Sequence, residues 1–178
     1  MTPPIFTPDG TEVEEVILPD GSEASEVIAP DGTVVFNAIP DSEVISRPED
    51  DDSVSVDDKR GLRITALYDL TKIQGTISAN SSGYTTAYLQ TTGGSVLDST
   101  DISGLTPGDS FELVASLSAN TDYDVVLDAG GSSWTLGFYG SANYPYSGEI
   151  AEITKSVRSS GDSTAAAYSI VSIKAFSE

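Results

Sequence analysis

The sequence predicts an all-β protein: an N-terminal extended, β-rich repeat arm followed by a jelly-roll-like β-sandwich. Three observations predict it. The dipeptide Pro-Asp returns at Pro8, Pro19, Pro30 and Pro40, at intervals of about eleven, eleven and ten residues. From residue 74 onward, short runs rich in Thr, Val, Ile and aromatics alternate with Gly, Ser and Asn turns. Helical periodicity is scarce, with only Leu62–Ile73 hinting at a helical turn.

The arm comes first. Met1–Thr7 holds Pro3 and Pro4 beside Ile5 and Phe6, an extended apolar peg suited to a groove on a partner. In the first three repeats Pro is followed by Asp-Gly, where Pro fixes φ at the first corner of a turn and Gly accepts φ > 0. Between the turns lie strand-length runs, 12–18, 22–29 and 33–39. Their apolar residues, Phe36 among them, are too few to close a core, so the arm is expected to order against copies of itself or a larger assembly. Ile5, Phe6, Pro8, Pro19, Pro30, Phe36 and Pro40 are the candidate assembly residues. The acid-rich stretch after Pro48 reads as a solvated linker. A boundary near Lys59–Gly61 follows, with residues 1–60 as arm and linker and residues 61–178 as head.

The strands of the head follow in order. Residues 74–79, 83–90, 95–99, 110–118, 121–128, 133–139, 148–155 and 164–176 read as strands, separated by turn text such as Gly93-Gly94, Pro107-Gly108-Asp109 and Gly130-Gly131. Alternation places Phe111, Leu113, Ala115 and Leu117 on one face, as it does Tyr123, Val125 and Leu127, and Trp134, Leu136 and Phe138. Glu112, Ser116, Asp122, Asp124 and Thr135 point outward. Many short strands with Gly/Ser turns fit a two-sheet sandwich better than a barrel.

Charge and composition narrow the function. The net charge is −20, and residues 1–60 hold sixteen acids against Arg47, Lys59 and Arg60, while twelve of the fourteen aromatics lie beyond residue 60. Such a surface repels phosphate backbones and anionic lipid, so neither nucleic acid nor a membrane is an expected partner. An acidic chain with eight basic residues suits molar salt, where self-repulsion is screened within about 3 Å. A halophilic source is the leading explanation. The N-terminus carries no basic and apolar secretory signal, so release inside a virus particle is one expected route out of a cell.

Without His or Cys, the Ser-His-Asp, Cys-His and HExxH arrangements are closed to this chain. Glu112, Glu149 and Glu152 are the formal candidates for a two-carboxylate hydrolase, but in alternating strand text they read as solvated, and no enzyme is expected. No cofactor is expected either. Asp98 with Asp101, or Asp122, Asp124 and Asp128, offer hard oxygens for Ca²⁺, though without the EF-hand spacing. The denser cluster is aromatic: Trp134, Phe138, Tyr139, Tyr144 and Tyr146. Trp134 reads as a core anchor. Tyr139, Tyr144 and Tyr146, the last two flanking Pro145 in an expected exposed loop, are the candidate glycan-binding residues, since flat rings with a polar edge suit sugars. Packing on a neighbouring subunit is the alternative for them.

Pro-Asp-Gly repeats ahead of a Gly/Ser/Thr/Tyr-rich sandwich, with phrases such as GLTPGDSFELVASL and YDVVLDAGGSSWTLGFYGSANYPYS, resemble structural proteins of tailed viruses of haloarchaea. They are also similar to carbohydrate-binding jelly-roll modules. The resemblance implies a virion component exposed on the particle, a capsid turret or decoration or else a tail fibre. It implies a trimer or pentamer that contacts other virion proteins through its arm and a host cell-surface glycoprotein through its head.

Overall fold

Period-two alternation decides the architecture, and the chain is all-β. The computed structural model describes residues 26–28, 34–37, 39–158, 162–163 and 166–177, the first two stretches in backbone only. Two units are present, residues 1–39 and residues 40–178. In the first, β1 (Glu26–Ile28) and β2 (Val34–Asn37) form an antiparallel pair with Val27 opposite Phe36. Ile5, Phe6, Pro8, Pro19 and Pro30 lie outside the described residues.

The second unit begins at Pro40, twenty residues before the boundary expected near Lys59–Gly61. Its first strands are β3 (Ser42–Ser46), β4 (Asp52–Val56), β5 (Arg60–Ala66), β6 (Leu70–Ile77) and β7 (Thr86–Thr91). Then come β8 (Val96–Asp101), β9 (Ser110–Leu117), β10 (Thr121–Asp128), β11 (Trp134–Tyr139) and β12 (Tyr146–Ser147). The last are β13 (Ala151–Arg158), β14 (Ala167–Tyr168) and β15 (Ile170–Ser177). One sheet runs β3-β15-β6-β9, and a second contains β5-β10-β7-β8, extended beyond β5 by β13 and β12. These two four-strand sets, crossed by the chain in turn, have the strand order of a jelly roll. Strands inserted between β3 and β5 and between β10 and β15 make a third sheet, β14-β11-β4.

Inward residues of all three sheets meet in one apolar cluster. Leu62, Ile64, Leu89, Val125 and Leu127 come from the second sheet, Ile45, Ile73, Leu113 and Ile173 from the first, and Trp134, Leu136 and Tyr168 from the third. The faces read for β9, β10 and β11 are those observed. Trp134 packs edge-on against Tyr84 at 6.5 Å and donates from Nε1 to Asp58 O at 3.1 Å. In the turn before β9, Pro107 precedes Gly108 at φ 90°, the left-handed corner that a Pro-Gly turn requires.

Three sequence expectations change. Leu62–Ile73 is no helical turn: Leu62, Ile64 and Ala66 alternate inward on β5, and the chain reverses at residues 67–69 into β6. The stretch 49–60 is no solvated linker, because β4 pairs with β11 and the acids around it accept hydrogen bonds from the fold. Pro40 belongs to the sandwich, where its carbonyl accepts Ser177 Oγ at 2.8 Å. There β3 lies antiparallel to β15, Ser42 opposite Phe176, so the unit's first and last strands are neighbours.

Candidate functional site

The carboxylates offered by the sequence mostly serve as acceptors within the fold. Asp50 is the extreme case: its Oδ1 meets Arg47 at 2.7 Å with neither side chain exposed, and its Oδ2 takes the Asn80 N–H at 3.2 Å. Arg47 also donates to Ile170 O and Pro48 O, which ties β3 to β15. Gly137 on β11 has no room for a Cβ, because Asp50 Oδ2 occupies that space. The clamp therefore needs glycine there.

Each candidate calcium ligand has a protein donor. Asp98 Oδ2 accepts the Val114 N–H at 2.7 Å, bridging the edge strands β8 and β9. Asp101 accepts the Ser103 N–H, which holds its carboxyl below the usual range, and Asp128 accepts the Gly130 N–H. Asp122 accepts Thr65 Oγ1 at 2.6 Å, and Asp124 takes both Nε and an Nη of Arg63, at 2.6 and 3.0 Å. Among the described residues no group of three or more acids is placed to hold a metal ion. Of the hydrolase candidates, Glu112 is exposed and paired with Lys72 at 3.0 Å, Glu149 is exposed, and Glu152 meets Ser147 Oγ at 3.4 Å.

The structure brings Tyr144 and Tyr146 together, edge to face at 5.2 Å. They are not the exposed loop residues expected: both are half-buried against the core, as is Tyr139 on β11 opposite Ala167. Tyr144 Oη bonds Ser156 Oγ at 2.8 Å and donates to Ala166 O, while Tyr146 Oη accepts the Asn143 N–H. Burial pushes the Tyr144 phenol up to about 12. A ring whose hydroxyl is tied inward leaves little polar edge for a sugar.

A second site was not foreseen. On the outer face of the sheet containing β5, register sets two rows side by side: Val157–Gly61–Val126–Tyr88 and Lys155–Arg63–Asp124–Gln90. A bulge at Thr154 resets the phase of β13, so that Lys155 faces outward and Ser156 inward. Val157, Val126, Arg63, Asp124 and Gln90 of these rows line an open groove of about 240 Å³ together with Lys59, Thr92, Arg158 and Asp162. Val126 and Val157 are buried although they face away from the core. Asp162 Oδ2 receives Arg63 at 2.9 Å and Lys155 at 3.0 Å, and the Asp124 hydrogen bond raises the Arg63 pKa further. Lys59 Nζ sits 3.9 Å over the Tyr88 ring. Two basic clusters, Lys59–Arg63 and Lys155–Arg158, were the only signal of this groove in the sequence.

Comparison with protein families, with curated proteins and with solved structures returns no match to this chain.

Proposed function

We propose that the chain is a non-enzymatic structural protein exposed on a virion surface, a capsid turret or decoration. Residues 1–39 serve assembly with symmetry mates and other virion proteins, and the jelly-roll unit is the head that meets host-surface glycans. The supporting observation is that Asp50, Asp51, Asp98, Asp124 and Arg63, the groups most able to do chemistry, are occupied in joining strands to one another. Groups used in this way suit a part whose task is to keep a shape. The repeat arm and acid surface, which resemble haloarchaeal virus proteins, supply the setting. Mass measurement in molar salt tests it: a trimer or pentamer that needs residues 1–39 is expected, and a monomer that loses those residues to protease without consequence overturns it.

A second reading, a tail-fibre head or an extracellular carbohydrate-binding module with the Tyr144 and Tyr146 pair read from the sequence, is favoured by the jelly-roll strand order. Glycan binding that survives the Tyr144→Ala/Tyr146→Ala double substitution would remove that pair from the site.

A further inference from the structure

We propose that the groove on the outer face of the β5-containing sheet binds an anionic sugar, with its carboxylate or sulfate held between Lys59 and Arg158. The inference rests on the glycan-engaging part of the proposed function and gives it a site and a ligand class distinct from the tyrosine cluster.

Charge is the first ground. Twenty-eight acids face eight basic residues in this chain, yet five of those eight, Lys59, Arg60, Arg63, Lys155 and Arg158, come from β5, the residue before it, and its neighbour β13. The two carboxylates of the groove are already neutralised, Asp124 by the fork of Arg63 and Asp162 by Arg63 and Lys155. Lys59 and the exposed Arg158 make no ion pair with the described residues. Two cations with no carboxylate partner among the described residues, Lys59 resting over the Tyr88 ring and Arg158 exposed, give a local positive potential at the groove, and an anion entering there meets charge-assisted donors.

The remaining lining argues for a sugar rather than a bare oxyanion. Val126 and Val157, both largely buried, leave a narrow apolar strip at the base of the groove. The side chains of Gln90 and Thr92 make no hydrogen bond with the described residues and stand ready for hydroxyls. A volume of about 240 Å³ is below that of pockets for drug-sized ligands and suits one ring of a chain that continues into solvent. An acidic peptide fits less well. A peptide that binds by strand addition needs a free sheet edge, whereas this groove crosses β5 and β10, whose edges are both paired.

Titration calorimetry on the full chain at about 0.15 M salt is the test, at a Debye length near 8 Å. The probes are a galacturonate trisaccharide, a sulfated galactose trisaccharide, the neutral galactose trisaccharide, inorganic sulfate and a poly-glutamate peptide. One or both anionic trisaccharides are expected to bind, and their order tells carboxylate from sulfate. Arg158→Ala and Lys59→Ala should each weaken binding about tenfold. Lys174→Ala, a cation on the other sheet, should change it less than about twofold. Absence of binding by both anionic sugars overturns the proposal. So does equal binding by the neutral sugar, sulfate or poly-glutamate, or indifference to Arg158→Ala. A protein that assembles but binds no anionic sugar defeats the groove alone; one that binds but stays monomeric defeats the virion reading and leaves the groove standing.

Discussion

Arg47 and Asp50 form an ion pair with no exposed side-chain surface on either partner, and it joins β3, β15 and the turn at Asn80. Removing one partner strands the other charge away from the solvent-exposed surface, so Asp50→Ala should cost about 3–5 kcal/mol. Replacing both residues with Met and Leu should cost less than either single alanine change, because no charge is then left unpaired. Denaturant unfolding of the three variants checks the order.

Tyr144 gives the protein an alkaline limit. Its neutral form is favoured by burial, with a pKa of about 12 against an ordinary 10.0. The unfolded chain ionises first, so this contribution is complete below about pH 10 and disappears as pH rises through 12, a loss of about 2–3 kcal/mol. Tyr144→Phe should cost about 1–2 kcal/mol at neutral pH through the lost bonds to Ser156 and Ala166, and should flatten that alkaline decline. Unfolding measured across this pH range with both proteins decides the point.

Asp98 bridges two sheet edges, and Val96, Leu97 and Val114 are exposed on the strands it joins. Unpaired edges with apolar side chains invite pairing between molecules. Asp98→Ala should lower stability by about 1 kcal/mol and, more visibly, promote self-association in sedimentation runs.

The boundary at Pro40 gives a fourth expectation. A fragment of residues 40–178 should unfold cooperatively near the midpoint of the full chain. A fragment of residues 61–178 lacks β3, β4 and the Arg47–Asp50 clamp, and should show no cooperative transition by circular dichroism or calorimetry.

The jelly roll was legible where one face is buried and the other wet, as in β9, because period-two alternation is then written residue by residue. On β5 it was obscured: Leu62, Ala66, Leu70 and Ile73 also fall at helical spacing, and only pairing with β10 and β13 selects the strand. The acid run misled for a different reason. A charge run usually marks solvent, but Asp50 is satisfied by Arg47 and by Asn80, thirty residues on, and Arg47 by Ile170, 123 residues on. No local pattern records such partners. The groove was hidden likewise, since its floor consists of cross-strand rows and the Thr154 bulge that aligns them is set by pairing.

Because β3 and β15 run antiparallel side by side, the polypeptide enters and leaves the sandwich at one corner. A force drawing those two ends apart would load the rungs one after another, like a zipper, and separate them at low tension. A pull on the entry point opposed by a grip elsewhere on the sandwich would instead load the rungs of β3 together in shear. The domain is thus mechanically sturdier as a pendant gripped from outside than as a link within a stretched cable.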